Sequence, residues 1–235
     1  MERLDKVISS QTNYSRKDVK ELIKQKKVMV NNNTVFKSDL KVDELCDEII
    51  VNNERLSIKR NIYLILNKPK GYVSATKDNY DKTVLDFVPL EFKKRNIFPA
   101  GRLDKDTTGM MILTDDGVFA HDILAPKKHI KKIYKVTIDK EITDEMIKGF
   151  LDGVMLNDGM CKTAKLEKID KNIGIVTLTE GRYHQIKRMF ACFKANVIEL
   201  ERIGMGDMTL PEDLQLGEIR ELTDEELKKI NVKKN

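Results

Sequence analysis

The chain has 235 residues, 40% of them hydrophobic and 34% charged, with a net charge of +5. That balance suits a globular protein with one good core and a smaller appended domain. It excludes a membrane span, because the longest clean apolar run, Ile62 to Leu66, is far short of the roughly 20 residues a span needs. Cys46, Cys161 and Cys192 are isolated, which argues against a disulfide framework or a zinc site and fits a reducing cytosol. The charged start, Met1 to Lys6, reads as no secretory signal.

The positive charge is unevenly spread. Residues 1 to 27 hold eight Lys or Arg against four acids, and residues 127 to 135 read Lys-Lys-His-Ile-Lys-Lys-Ile-Tyr-Lys. Several basic stretches in one chain make nucleic acid the leading partner class.

In chain order, Ser15 and Asp18 have capping-box spacing and predict a helix to about Lys26, with Val19, Leu22 and Ile23 on its buried face. Arg16, Lys17, Lys20, Lys24 and Lys27 recur beside that stripe as a cationic face for phosphates. Val28 to Asn31 reads as a short strand, Asn31 to Asn33 as a turn, and residues 48–58 as a hairpin around Asn52-Asn53. Residues 57–61 then link to a second domain, with the boundary placed at 59/60. Beyond it, residues 62–66, 110–114, 132–138 and 174–181 read as strands. Residues 118–124, 183–193 and 223–230 read as helices, the last with a capping box from Thr223 to Glu226. Ile186, Met189, Phe190 and Phe193 form a buried helical stripe. This order predicts an α+β fold: a small N-terminal α/β domain, then a core with a mixed, largely antiparallel sheet and flanking helices.

The stretch Gly101 to Gly117 concentrates carboxylates. Asp104, Asp106 and Thr108 have the D-x-D-x-T spacing of a magnesium-dependent phosphoryl-transfer loop. Here, however, the long apolar run follows the loop instead of preceding it, and Arg102 is poor company for magnesium. The other reading makes Asp104 the reactive carboxylate. Gly101 and Gly109 permit tight backbone at the loop ends, and Thr107 and Thr108 fix its shape. An ionised aspartate in a partly dry site needs a cation. Lys187, in the first turn of the predicted 183–193 helix and on the face shared with His184, is the candidate.

Two resemblances gather these features. The N-terminal piece, with Arg3-Leu4-Asp5-Lys6, Ser15-Arg16, Leu22-Ile23 and Val28 to Asn31, resembles the S4 RNA-binding domain, with Lys27 and Asn32 where glycines are usual. The remainder resembles the RsuA-type pseudouridine synthases. Gly101 to Asp104 with Thr107, Gly109 and Leu113 to Gly117 is similar to their signature loop. Lys68 to Gly71 matches their first motif, Lys132 to Val136 the tyrosine motif, Glu180 to Met189 the third, and Leu200, Arg202, Gly206 and Leu210 the C-terminal pattern.

The resemblance implies isomerisation of a ribosomal RNA uridine to pseudouridine with no cofactor and no metal. Asp104 would attack the nucleotide or take its proton, Tyr134 would stack on the uracil, and Lys187 would hold Asp104 ionised. Arg102 would fill the gap left by the flipped base. His184, an orienting group, joins Lys68, Arg188, Arg16, Lys17, Lys20 and Lys24 among the RNA-facing side chains. His184-Gln185 before Ile186-Lys187-Arg188 resembles members acting on 16S rRNA (uridine-516 type). The alternatives are a 23S substrate or a non-catalytic S4-bearing assembly factor. A cytoplasmic monomer acting away from membranes is expected.

Overall fold

The computed structural model describes residues 1–44 and 46–230. The chain divides into two compact units, one built from Met1–Ile62 with Pro89–Asn96 and the other from Tyr63–Val88 and the chain from Ile97 onward.

In the first unit, α1 (Leu4–Gln11) buries Leu4, Val7 and Ile8, and α2 (Arg16–Lys24) buries Val19 and Ile23. The Ser15 hydroxyl accepts from the Asp18 amide at 3.2 Å, and the Asp18 carboxylate accepts from the Ser15 amide at 2.8 Å. This reciprocal cap fixes where α2 begins. Arg16, Lys17, Lys20 and Lys24 lie exposed along it.

Strands β1 (Val28–Val30) and β2 (Ile49–Val51) pair antiparallel, flanked by the two-residue strands Asn33–Thr34 and Glu54–Arg55. Asn31 and Asn32 (φ 50° and 64°) and Asn52 and Asn53 (φ 52° and 66°) make the turns in left-handed backbone, which asparagine tolerates. The segment Pro89–Asn96 belongs here, which a boundary at 59/60 does not anticipate. The Lys94 ammonium donates to the carbonyls of Asn13 and Tyr14 at 2.8 and 3.1 Å. Arg95 donates to those of Lys59 and Arg60 at 2.8 and 2.6 Å.

The second unit is organised on a nine-stranded sheet. Its main elements are β3 (Tyr63–Lys68), β4 (Thr108–Thr114), α3 (Gly117–Leu124), β5 (Lys132–Ile138), α4 (Asp144–Asp152), β6 (Lys165–Lys168), β7 (Ile173–Leu178), α5 (Gln185–Cys192), β8 (Val197–Met205), β9 (Ile219–Glu221) and α6 (Asp224–Ile230). The order is β6-β7-β5-β8-β4-β3-β9, with short strands Met208–Thr209 on β8 and Phe98–Pro99 on β4. Every pair is antiparallel except β8 with β4.

One core cluster joins β5, β7 and Leu200 of β8 to α4 and α5, through Val136, Ile138, Val176, Phe150, Met189 and Phe190. A second joins β3, β4 and the end of β8 to α3 and α6. The fold is thus the expected mixed α+β arrangement. The sequence reading lacked β8, whose Glu199, Glu201 and Arg202 break its apolar pattern, although β8 joins the two halves of the sheet.

Candidate active site

The acidic loop runs from Gly101 into β4, and backbone chemistry fixes its shape. The Ser74 hydroxyl donates to the Leu103 carbonyl at 2.8 Å and accepts from the Leu103 amide at 2.9 Å. The Thr107 amide donates to the Asp104 carbonyl at 3.1 Å, closing a turn around Asp104. At the far end Gly109 has φ +97°, and a Cβ there would stand 2.3 Å from the Arg202 carbonyl oxygen of the neighbouring strand. Only glycine meets both conditions.

Beneath the loop lies Lys68, the last residue of β3, which is fully buried. Its ammonium donates to the carbonyls of Thr107 (2.8 Å), Asp104 (3.0 Å), Pro69 (3.2 Å) and Lys105 (3.3 Å). Burial pulls its pKa down to about 8, against the opposing pull of Asp106 and Asp104. This corrects the assignment of Lys68 to RNA contact. A sealed ammonium bonded to four carbonyls faces the loop backbone and not a phosphate.

Above the loop is the start of α5. His184 adopts left-handed backbone (φ 48°, ψ 36°) just before the helix. The buried Gln185 ties the turn together, accepting from the Arg182 amide at 3.0 Å and donating to Glu180 at 2.8 Å. The turn carries His184 Nε2 to 3.4 Å from Asp104 Oδ1, and Lys187 Nζ lies 3.2 Å from Asp104 Oδ2. Lys187 also donates to both oxygens of Asp106, at 2.6 and 2.9 Å. Burial works against the Lys187 charge, but the hydrogen bonds it donates to Asp106 and Asp104 prevail and raise its pKa. Burial likewise disfavours the Asp106 carboxylate, and Lys187 outweighs it, holding its pKa below the usual range.

The structure therefore brings Asp104, Lys187 and His184 together. It adds Asp106, visible in the D-x-D spacing but given no role once Asp104 was read as the reactive carboxylate. Arg102 is exposed, beside the loop. Tyr134 lies half-buried on β5, packed against the first core cluster and opposite Arg202. The Arg188 guanidinium pairs with Asp158 and donates to the Tyr183 carbonyl at 3.2 Å, which clamps the 155–160 hairpin to α5 and leaves Arg188 partly exposed. A cleft of about 290 Å³ lined by Asn67, Glu201, Leu210 and Leu214 contains none of these side chains.

Chemically, the site offers one carboxylate pinned by its backbone and flanked by two nitrogen groups, as a nucleophile or base requires. Known proteins resemble the chain over nearly its whole length. Residues 62–192 match the family described as RNA pseudouridylate synthase, and residues 2–49 match the S4 domain. An uncharacterized RNA pseudouridine synthase of Bacillus subtilis is 40% identical over 97% of this chain and 98% of its own. The ribosomal small subunit pseudouridine synthases A of Yersinia pestis and Escherichia coli are 40% and 39% identical, over 96% of this chain and 96% and 98% of theirs. A crystal structure of a pseudouridylate synthase matches with a TM-score of 0.70 at 36% identity, over 98% of this chain and 100% of that one. On this agreement of sequence and fold, the chain belongs to the RNA pseudouridylate synthase family and carries an S4 domain ahead of the synthase core.

Proposed function

We propose that this chain converts a uridine of small-subunit ribosomal RNA to pseudouridine, with Asp104 as the reactive carboxylate. The observation that carries the assignment is the triangle of Asp104 with Lys187 at 3.2 Å and His184 at 3.4 Å, on a loop tied down by Lys68. The relatives named ribosomal small subunit pseudouridine synthase A support the choice of RNA.

The target base must leave its stack to meet Asp104, and extrusion costs a few kcal/mol. Arg102, exposed beside the loop, fills the space the base vacates, and Tyr134 offers a ring face to the uracil. Asp104 then attacks the nucleotide or takes its proton, with Lys187 keeping the carboxylate charged and His184 orienting it. The exposed row Arg16, Lys17, Lys20 and Lys24 holds the surrounding RNA by its phosphates. The enzyme works as a cytoplasmic monomer on a uridine of the 516 type.

The test is to delete the gene, map pseudouridines across both ribosomal RNAs, and restore with wild type or Asp104→Asn. One small-subunit uridine should lose its modification, returning with wild type and not with the variant. A dependent uridine in the large-subunit RNA overturns the substrate, and restoration by Asp104→Asn overturns the role of Asp104.

A further inference from the structure

The face of the sheet that carries Tyr134 changes character along its length. Lys132, Tyr134, Val136 and Ile138 alternate onto one face of β5, with Arg202 and Leu200 of β8 opposite Tyr134 and Val136. At one end this face is aliphatic and belongs to the core under α4 and α5. At the other end, Lys132 and Arg202 stand where aliphatic side chains would continue the pattern. Both are nearly sealed, at 8% and 2% exposed.

No carboxylate among the described residues pairs with either cation. Arg202 Nε donates to the Met110 carbonyl at 2.6 Å, and its Nη2 lies 3.9 Å from Met111 Sδ. Lys132 makes no side-chain hydrogen bond or ion pair among the described residues. Asn67 Oδ1 and Thr107 Oγ1 are sealed without partners, but the Lys132 ammonium retains an opening. Burial and then the neighbouring Arg202 charge push the Lys132 pKa down. Two like charges in a nearly closed site without a counter-ion are a standing cost to the fold. Such an arrangement is expected where a ligand brings the missing charge.

The position suits the nucleotide. Arg202 is in register with Gly109, where the Asp104 loop enters β4. The charges of Arg202, Asp104 and Asp106 all reach Lys68. Tyr134, two residues from Lys132, shares its face.

We infer that Lys132 and Arg202 form a subsite for negative charge on the bound nucleotide, beside Tyr134. The inference rests on the RNA reading above. Two sources supply that charge: the phosphodiester next to the target uridine, and the uracil ring as its bond to the sugar breaks. Only the first is present before reaction. The second appears in the transition state, where preorganised cations act most strongly.

The experiment compares wild type, Lys132→Met and Lys132→Arg on an RNA fragment spanning the mapped uridine, measuring Tm, RNA affinity and single-turnover rate. Lys132→Met should raise Tm while lowering affinity or rate at least tenfold, and Lys132→Arg should recover most of the loss. Replacing single linkages with neutral methylphosphonates then separates the sources. If one linkage is costly for wild type and costs Lys132→Met nothing, the subsite holds that phosphate. If every linkage costs both proteins alike and the loss lies in the rate alone, the charge is on the uracil. Unchanged affinity and rate in Lys132→Met overturn the inference, as does a Tm that falls together with activity. A wild-type enzyme inactive on small-subunit fragments but active on another RNA overturns only the substrate assignment, and the Lys132 comparison is then made on that RNA.

Discussion

The Lys68 ammonium lies 3.0 Å from the backbone carbonyl of Asp104, so a buried cation holds the candidate catalytic residue by its main chain and leaves its carboxylate to Lys187 and His184. Two separate lysines thus divide the tasks of shaping the loop and charging the site.

The division has a pH signature. The folded chain gives up the Lys68 proton near pH 8, whereas its ordinary value is 10.5. Between those values the unfolded state binds more protons, so this group's contribution makes stability rise with pH across the window. Activity should fall there instead, because a neutral amine grips four carbonyls less strongly than an ammonium. The kcat/KM profile should show an alkaline limb near pH 8 with no loss of urea resistance, and a profile flat to well above pH 9 contradicts it. Lys68→Met should lose about 10²-fold in rate at pH 7, from a displaced loop.

Removing Lys187 leaves Asp104 and Asp106 without their shared cation. Lys187→Met should lower kcat about 10²-fold, the scale for deleting one preorganised electrostatic group. RNA affinity should change little. Asp106→Asn should cost far less, since its side chain is largely exposed and Asp104 keeps both nitrogen partners. Equal losses in the two variants would contradict this ranking.

Glycines on this loop system should differ sharply. Gly109→Ala meets a carbonyl at 2.3 Å and a backbone angle of +97°, and should destabilise by about 3 kcal/mol. Gly71→Ala has a similar φ of +92° but nothing within 4 Å, and should cost about 1 kcal/mol. Urea denaturation of both variants measures the gap.

The α2 lysines should act only on binding. Changing Arg16, Lys17, Lys20 and Lys24 together to Gln should weaken RNA binding and flatten the dependence of log K on log salt, by about 0.7 to 0.9 for each phosphate no longer neutralised. The single-turnover rate at saturating RNA should be unchanged, and a salt slope equal to wild type would remove α2 from the interface.

Local chemistry was legible where the deciding interaction is local. The caps at Ser15 and Thr223 are there as expected, with Thr223 and Glu226 exchanging bonds of 3.2 and 2.9 Å. The Asn-Asn turns and β5 were also visible, because side-chain and backbone preferences act within a few residues. Helix α1, which the sequence did not reveal, has Arg3 at its N-cap with no side-chain capping bond, and α4 is capped by Thr143 without the reciprocal acid. β8 was hidden because its place depends on β4 and β5, which lie far away in the chain. The same distance concealed Lys68. Nothing in Lys-Pro-Lys-Gly tells which lysine the sheet will bury.

The Pro89–Asn96 segment changes what counts as a module in this protein. The chain passes from one unit to the other at 62/63, returns at 88/89 and leaves again at 96/97. Cutting at a single point therefore cannot release the RNA-binding unit whole. A fragment ending near residue 60 loses the two side chains, Lys94 and Arg95, that gather the carbonyls of Asn13, Tyr14, Lys59 and Arg60. Any genetic exchange that swaps this unit between enzymes must carry two separate pieces of sequence together, so the pair inherits as one.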